Sequence, residues 1–191
     1  MRRAGFSMTR FRHSRRRTRP PPELALERLE KGEGGERTLQ DWLDRSRLAY
    51  LLLDQSPLTI PAAHRADIKR PDFLVAVDGI GTIALDAKAK AFIGGCLMLD
   101  ASERRRLDGF ETIFGIPVWY ACFPPDDPRR AYLFRNRDLM GSGVAHDAVK
   151  HVIRAHLGLA IGVEHGATSL QAALNLAPGQ AGPRANAPPP V

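Results

Sequence analysis

The sequence predicts an α/β fold in which a small central mixed β-sheet is flanked by helices. Three observations carry this expectation. Leu39, Trp42, Leu43, Ser46 and Tyr50 recur at helical spacing. Two β-branched-rich runs are joined by Asp78-Gly79-Ile80-Gly81, the composition of a hairpin turn. A capped helix then runs from Asp100 to Gly115 and is followed by a strand pattern. Helix and strand signals interleaved in this way describe an α/β domain.

The elements follow in order. Glu23 to Lys31 reads as a short helix stopped at Gly32, with a glycine-rich break extending to Gly35. A second helix is expected from about Glu36 to Leu53. Glu36 precedes Leu39 and Leu43 by three and seven residues, so it shares their inward face. The helix dipole also favours an acid in a first turn. Phe73 to Val77 is a strand, and Thr82 to Lys90 is its return strand. Along the latter, Ile83, Leu85, Ala87 and Ala89 point one way, and Thr82, Ala84, Asp86, Lys88 and Lys90 point the other. Asp100 is an N-cap with Glu103 completing a capping box, and Leu107, Phe110 and Phe114 form the apolar face of that helix. Val118 to Phe123 and Ala131 to Phe134 read as strands, and Val144 to Leu157 as a last helix.

The length of 191 residues suits one domain with tails. The net charge of +7 is unevenly placed. Residues 1–22 hold eight arginines and no acid, which leaves 20 basic and 21 acidic side chains in the rest. The expected organisation is therefore a disordered Arg-rich arm over 1–22, a folded domain over 23–176, and a disordered Pro/Ala/Gly tail over 177–191. The arm suits electrostatic contact with nucleic acid phosphates, and equally suits a plain extension. No apolar run approaches the roughly 18 residues of a membrane helix, so no membrane association is expected. No apolar segment follows the N-terminal arginines, so the expected location is cytoplasmic, with export by a signal-free route as the exception. Cys96 and Cys122 form no metal or redox motif and read as small apolar residues.

The chemistry concentrates on the two central strands. Asp72 opens the first, and Asp86 and Lys88 lie two apart on the second, so the hairpin gathers two carboxylates and an ammonium at one sheet edge. Like charges held together resist ionisation, and a hard divalent cation relieves that repulsion. The expected ligands are Asp72, Asp86, the backbone carbonyl of Ala87, and Glu36 directly or through water. Lys88 would orient a water or stabilise a developing oxyanion. The structural alternative is a hairpin whose charged residues merely face solvent.

The run Arg70-Pro71-Asp72 followed by Asp86-Ala87-Lys88 resembles the PD-(D/E)XK, or restriction-endonuclease-like, nuclease superfamily. Glu36, Asp72, Asp86 and Lys88 match its motif positions, with Glu33 as an alternative helix acid. Leu107 to Phe123 is similar to the matching part of small members of the Holliday-junction-resolvase type. The resemblance covers about residues 36 to 136. It departs from the pattern before Asp72, where only Leu58 to Ile60 hints at the expected strand. It implies a restriction-endonuclease-like core and Mg²⁺-dependent hydrolysis of DNA phosphodiesters, with Mn²⁺ able to substitute and RNA as the alternative substrate. Catalytic roles are implied for Glu36, Asp72, Asp86 and Lys88.

Lys90 continues the Asp86–Lys88 face. Together with Arg70, Arg104 and Arg105 it forms the expected set of phosphate contacts. Trp119 and Tyr120 alternate on their strand, so one of them is expected in the core. His146, His151 and His156 are five apart and would not share a helical face. A homodimer is expected by analogy with enzymes that cut both strands of a duplex. Two further readings stand beside it, the first with the Arg-rich arm as the binding element and the second with the same site. One is a non-catalytic nucleic-acid-binding module on a degenerate nuclease fold. The other is a DNA-degrading antibacterial toxin.

Overall fold

Asp78-Gly79-Ile80-Gly81 reverses the chain, and the reversal sets the geometry of the whole centre. Gly79 and Gly81 take φ of 74° and 99°, values that side chains with a Cβ rarely adopt. The turn joins β2 (Phe73–Val77) to β3 (Gly81–Lys88) in antiparallel register, with Val77 opposite Gly81 and Phe73 opposite Leu85. The computed structural model describes residues 22–56, 60–140, 144–147 and 151–176, and leaves the side chains of 22–32, 140 and 144–147 aside. The Arg-rich arm and the C-terminal tail expected from the sequence therefore lie outside the described residues, save for Pro22.

The first element is α1 (Pro22–Arg45), followed by β1 (Tyr50–Leu52). Then come β2, β3, β4 (Cys96–Asp100), α2 (Ala101–Phe114), β5 (Val118–Cys122) and β6 (Arg130–Arg135). The chain continues through β7 (Val144–Asp147), β8 (Val152–His156), β9 (Ile161–Glu164) and α3 (Leu170–Asn175). A six-stranded mixed sheet has the order β1-β2-β3-β5-β6-β9, in which only β3 and β5 run parallel. A parallel pair needs a crossover, and β4 with α2 supplies it. A second, antiparallel sheet has the order β4-β8-β7.

The sheet is covered on both sides. Leu39, Trp42 and Leu43 of α1 and Leu170, Ala173 and Leu174 of α3 pack on one face, against Phe73, Val75, Ile83 and Leu85. Leu107 and Phe110 of α2 pack on the other face with Leu97, Leu99, Ile153 and Ala155 of the small sheet, against Ala84, Val118 and Tyr120. Every residue of β5 is buried as a result, including both Trp119 and Tyr120. The expected α/β class and its central mixed sheet with flanking helices are thus observed.

Several expectations about single elements are corrected. The glycine-rich stretch does not break the first helix, which is continuous through Gly34 and Gly35. Gly35 passes close to β3, and a Cβ there would come 3.2 Å from the Ala89 amide nitrogen. Close packing therefore explains a residue that otherwise costs a helix about 1 kcal/mol relative to Ala. The helix does not continue to Leu53. Arg47 adopts φ of 54°, Arg47 N–H donates to Asp44 O, and Leu48 N–H donates to Leu43 O, which is a Schellman end. Leu48 and Tyr50 stay packed on the same core after the turn, which is why the stripe reads as helical past its end. A strand preceding Asp72 is β1, paired with β2. Residues 57–59 lie outside the described residues, and Ile60 sits in a bend.

The expected helix over Val144 to Leu157 is a hairpin of β7 and β8. It pairs with β4, an element the sequence reading passed over, and buries Ile153 and Ala155 beside Leu97 and Leu99. Finally, Phe114 is exposed at the end of α2, although its ring lies 4.7 Å from that of Phe110.

Candidate active site

Beyond the pair Phe73↔Leu85 the hairpin continues one step. Asp72 N–H donates to Leu85 O at 2.9 Å, which holds Asp72 at the open end of the hairpin, near Asp86. Asp86 shares the face of Ala84 by strand alternation, and α2 covers that face. Asp86 is fully buried and Asp72 is buried beside it. Asp72 Oδ2 accepts a hydrogen bond from Ala87 N–H at 2.7 Å, which fixes its rotamer at the mouth of the hairpin.

Two lysines and one further acid complete the arrangement. Lys69 Nζ donates to Asp86 Oδ1 at 2.6 Å and to Glu103 Oε1 at 2.5 Å. Lys88 Nζ is in contact with Asp86 Oδ2 and donates to Glu103 Oε1 at 3.1 Å. Glu103 comes from the first turn of α2. Asp100 caps that helix, its carboxylate accepting from the amides of Ser102 and Glu103 at 2.8 and 3.0 Å. The cap holds Glu103 over the sheet, and its side chain turns to the lysines rather than back to the cap. The Lys88 ammonium also sits 5.9 Å from the ring centroid of Tyr120, whose buried hydroxyl has no hydrogen-bond partner.

This network lies in a pocket of about 890 Å³. Its electrostatics follow from burial and pairing. Burial, reinforced by the Asp86 charge, pushes Asp72 up from 3.8 to about 7, against the pull of Lys69, the Ala87 amide and Lys88. Burial alone would strip Lys88 of its proton, yet the Asp86 and Glu103 carboxylates outweigh it and hold the ammonium above its ordinary range. Burial opposes the charge on Glu103 too, and Lys88 and Lys69 overcome it, bringing the carboxyl down to about 2. The site therefore contains a permanent cation at Lys88, a permanent anion at Glu103, and in Asp72 a carboxyl that titrates near neutrality.

No family model matches the chain, and no curated protein matches it. Among solved structures it is similar to Hjc, a Holliday junction resolvase from Archaeoglobus fulgidus, an archaeal hyperthermophile. The two are 18% identical, with a TM-score of 0.48, over 70% of this chain and 95% of that one. The fold described above rests on element order and sheet topology alone.

The sequence-derived residues are distributed as follows. Asp72, Ala87, Lys88 and Lys90 line the pocket, and Asp86 lies buried beneath, reached through Lys69 and Lys88. Glu36 lines the same pocket from α1, whose close approach at Gly35 brings it over the end of β3. Lys90 Nζ is tied to Met98 O at 3.3 Å. Arg70 lies outside this pocket, with Nη2 donating to Ser56 O at 2.6 Å. Arg104 is packed inside the domain and pairs with Asp108 at 3.2 Å, so its side chain does not form part of an outward phosphate-facing row. Arg105 is exposed beside Asp67 and Asp108, away from the acid pocket.

Lys69 and Glu103 are the residues that sequence reasoning missed. Glu103 was legible only as the third residue of a capping box, which accounts for an acid there without reference to a site. Lys69 precedes the strand by several residues in a polar stretch. Only the bond from its amide to Arg106 O at 3.0 Å, which ties that stretch to α2, brings it to the carboxylates.

Proposed function

We propose that this chain is a metal-dependent nuclease that hydrolyses phosphodiester bonds of DNA, with RNA as the alternative substrate. The observation that carries the reading is the pair of buried, interacting acids Asp72 and Asp86 at the open end of the β2–β3 hairpin, with Lys88 beside them at the wall of an open pocket. A strand needs no buried acid pair for its own stability. Burial first, and the Asp86 charge second, hold the Asp72 carboxyl up at about 7.

The donor set fits a hard dication. It consists of oxygen only, and Asp86 Oδ2 accepts no hydrogen bond, having only its ion contact with Lys88. Among the described residues no group of three or more His, Cys, Asp and Glu side chains is placed to hold a metal ion by itself. That suits Mg²⁺, which binds through one or two carboxylates and keeps waters or substrate phosphate oxygens for its other positions. Mn²⁺ would substitute. Asp72 and Asp86 would hold the ion, with the Ala87 carbonyl and Glu36 as further oxygens bordering the same space. When bound, the ion supplies neutralisation of phosphodiester charge and acidification of a water.

The rest belongs to the chain. Lys88, kept protonated by Asp86 and Glu103, is a fixed donor aimed at charge that builds on the phosphate in the transition state; it is no base. Glu103 fixes both lysines, and the α2 layer keeps Asp86 from bulk water. Lys90 borders the entrance as a phosphate contact. Action in the cytoplasm and assembly as a homodimer belong to this reading as well. Among the described residues no helix is long and apolar enough to cross a membrane.

The test is incubation of the purified protein with plasmid and with linear single- and double-stranded DNA, in Mg²⁺ or EDTA, beside Lys88→Ala. Cleavage that requires both Mg²⁺ and Lys88 is expected. Full cleavage by Lys88→Ala would overturn the assignment.

A further inference from the structure

Behind the acid pocket lies a smaller one, of about 290 Å³, whose charged lining is entirely basic. Arg65, Lys69, Arg70 and Arg106 border it, and none of its described lining residues is acidic. Lys69 and Gln55 border both pockets. The two are therefore adjacent compartments with a lysine as their shared wall.

Two of the three arginines, Arg65 and Arg70, are held by backbone carbonyls, and among the described residues none of the three has a counter-ion within ion-pair distance. Arg70 Nη2 donates to Ser56 O at 2.6 Å, and Arg65 Nε donates to Ile60 O at 3.0 Å. Among the described residues Lys69 forms ion pairs with the two acids on the other side of its wall, Asp86 and Glu103. Arg70 Nε and Nη1 are buried and have no hydrogen-bond partner. Buried guanidinium donors left unmade are costly, and three guanidinium groups gathered with no acid in the lining repel one another. An entering oxyanion relieves both costs at once, and the guanidinium fork suits phosphate oxygens.

We infer that this basic pocket is a phosphate-binding subsite for a nucleic acid strand, holding a backbone phosphate next to the one presented at Asp72 and Asp86. The inference rests on the nuclease reading for the identity of the strand. It adds the residues that set the strand's register, which that reading left open. Arg65 and Arg106 line the mouth, Arg70 the wall, and Lys69 couples the held phosphate to the acids. In the absence of a strand Lys69 neutralises Asp86. A phosphate in the basic pocket gives Lys69 a third anion to face, beside Asp86 and Glu103.

The test measures binding in EDTA, where no cleavage occurs. Fluorescence anisotropy with a short labelled DNA duplex is followed across a salt series for wild type, Arg65→Ala, Arg106→Ala and Arg105→Ala. Arg105 is the control because it is exposed one residue away on the same helix and borders a different pocket. Arg65→Ala and Arg106→Ala are expected each to weaken binding about tenfold and to lower the salt slope by about 0.9. Arg105→Ala is expected to change affinity by less than about twofold. Thermal melts confirm that each variant is folded. Equal, small effects in all three variants overturn the subsite. If wild type also cuts DNA in Mg²⁺, the nuclease reading survives that failure. A wild type that binds with the full slope and never cuts leaves the subsite standing and removes the nuclease.

Discussion

On one face of β3, Ile83 and Leu85 join a buried apolar cluster with residues of α1 and α3. On the other face, Ala84 is equally apolar, yet two residues further on Asp86 is fully buried, and two beyond that Lys88 is nearly so. The same strand and the same helix-covered geometry give a dry core on one side and a charged one on the other. The difference teaches where stability and chemistry reside. The first face buries side chains that lose nothing on leaving water. The second is met by a cluster of three carboxylates, Asp72, Asp86 and Glu103, and two ammonium groups, Lys69 and Lys88, whose desolvation is offset largely by one another. A fold keeps such a group when its chemistry is used.

Substitutions on the two faces should separate these roles. The largest expected effect is on chemistry. Lys88→Ala should lower the cleavage rate by about 10²–10³-fold or more, the range for removing one preorganised donor to transition-state charge. Its secondary structure, read by circular dichroism, should be unchanged. A variant that cuts at the wild-type rate would erase the contrast between the faces. Leu85→Ala, one residue from Asp86 and pointing the opposite way, should do the reverse. It should cost about 2–5 kcal/mol in denaturant unfolding, while the rate per folded molecule is largely kept.

The charged face was legible in the sequence where the period of two applies. Asp86 and Lys88 share a side by strand alternation, and a glycine turn of known length fixes their register against Asp72. The apolar stripe of α1 was legible for the same reason, since Leu39, Trp42 and Leu43 follow the helical period. What was hidden depends on long-range pairing. The stripe runs unbroken from Leu43 through Leu48 to Tyr50, although the chain leaves the helix at Arg47, because both conformations keep these side chains on one core. The β4-β8-β7 sheet is made of strands distant in sequence, and its alternation is short enough to be read as a helix. Glu103 and Lys69 reach the site only because α2 folds over the sheet, which no local pattern announces.

Smaller, and sharper, are two opposite pH dependences within the charged face. Asp72 has a folded-state value near 7 against 3.8 ordinarily. It stays neutral in the fold while the unfolded chain ionises, so it lowers stability as pH rises from about 4 to about 7. Urea unfolding should show Asp72→Asn gaining on wild type across that interval, since Asn retains an acceptor for Ala87 N–H. No change in the difference between the two proteins would mean that Asp72 is not held against Asp86. Glu103 has the reverse sign, at about 2 against 4.5. Its contribution is present above about 4.5 and is lost as pH falls toward 2. Glu103→Gln should therefore be less stable than wild type at neutral pH, and the gap should narrow on acidification.

The central claim is that Asp72 and Asp86 together hold the divalent ion through which the pocket acts. Titration of Mn²⁺ into wild type, Asp72→Asn and Asp86→Asn, followed by electron paramagnetic resonance of the free ion, tests it without reference to any substrate. A single site in wild type that is weakened at least about tenfold in each variant is the expected result. Unchanged Mn²⁺ binding in both variants would contradict the account.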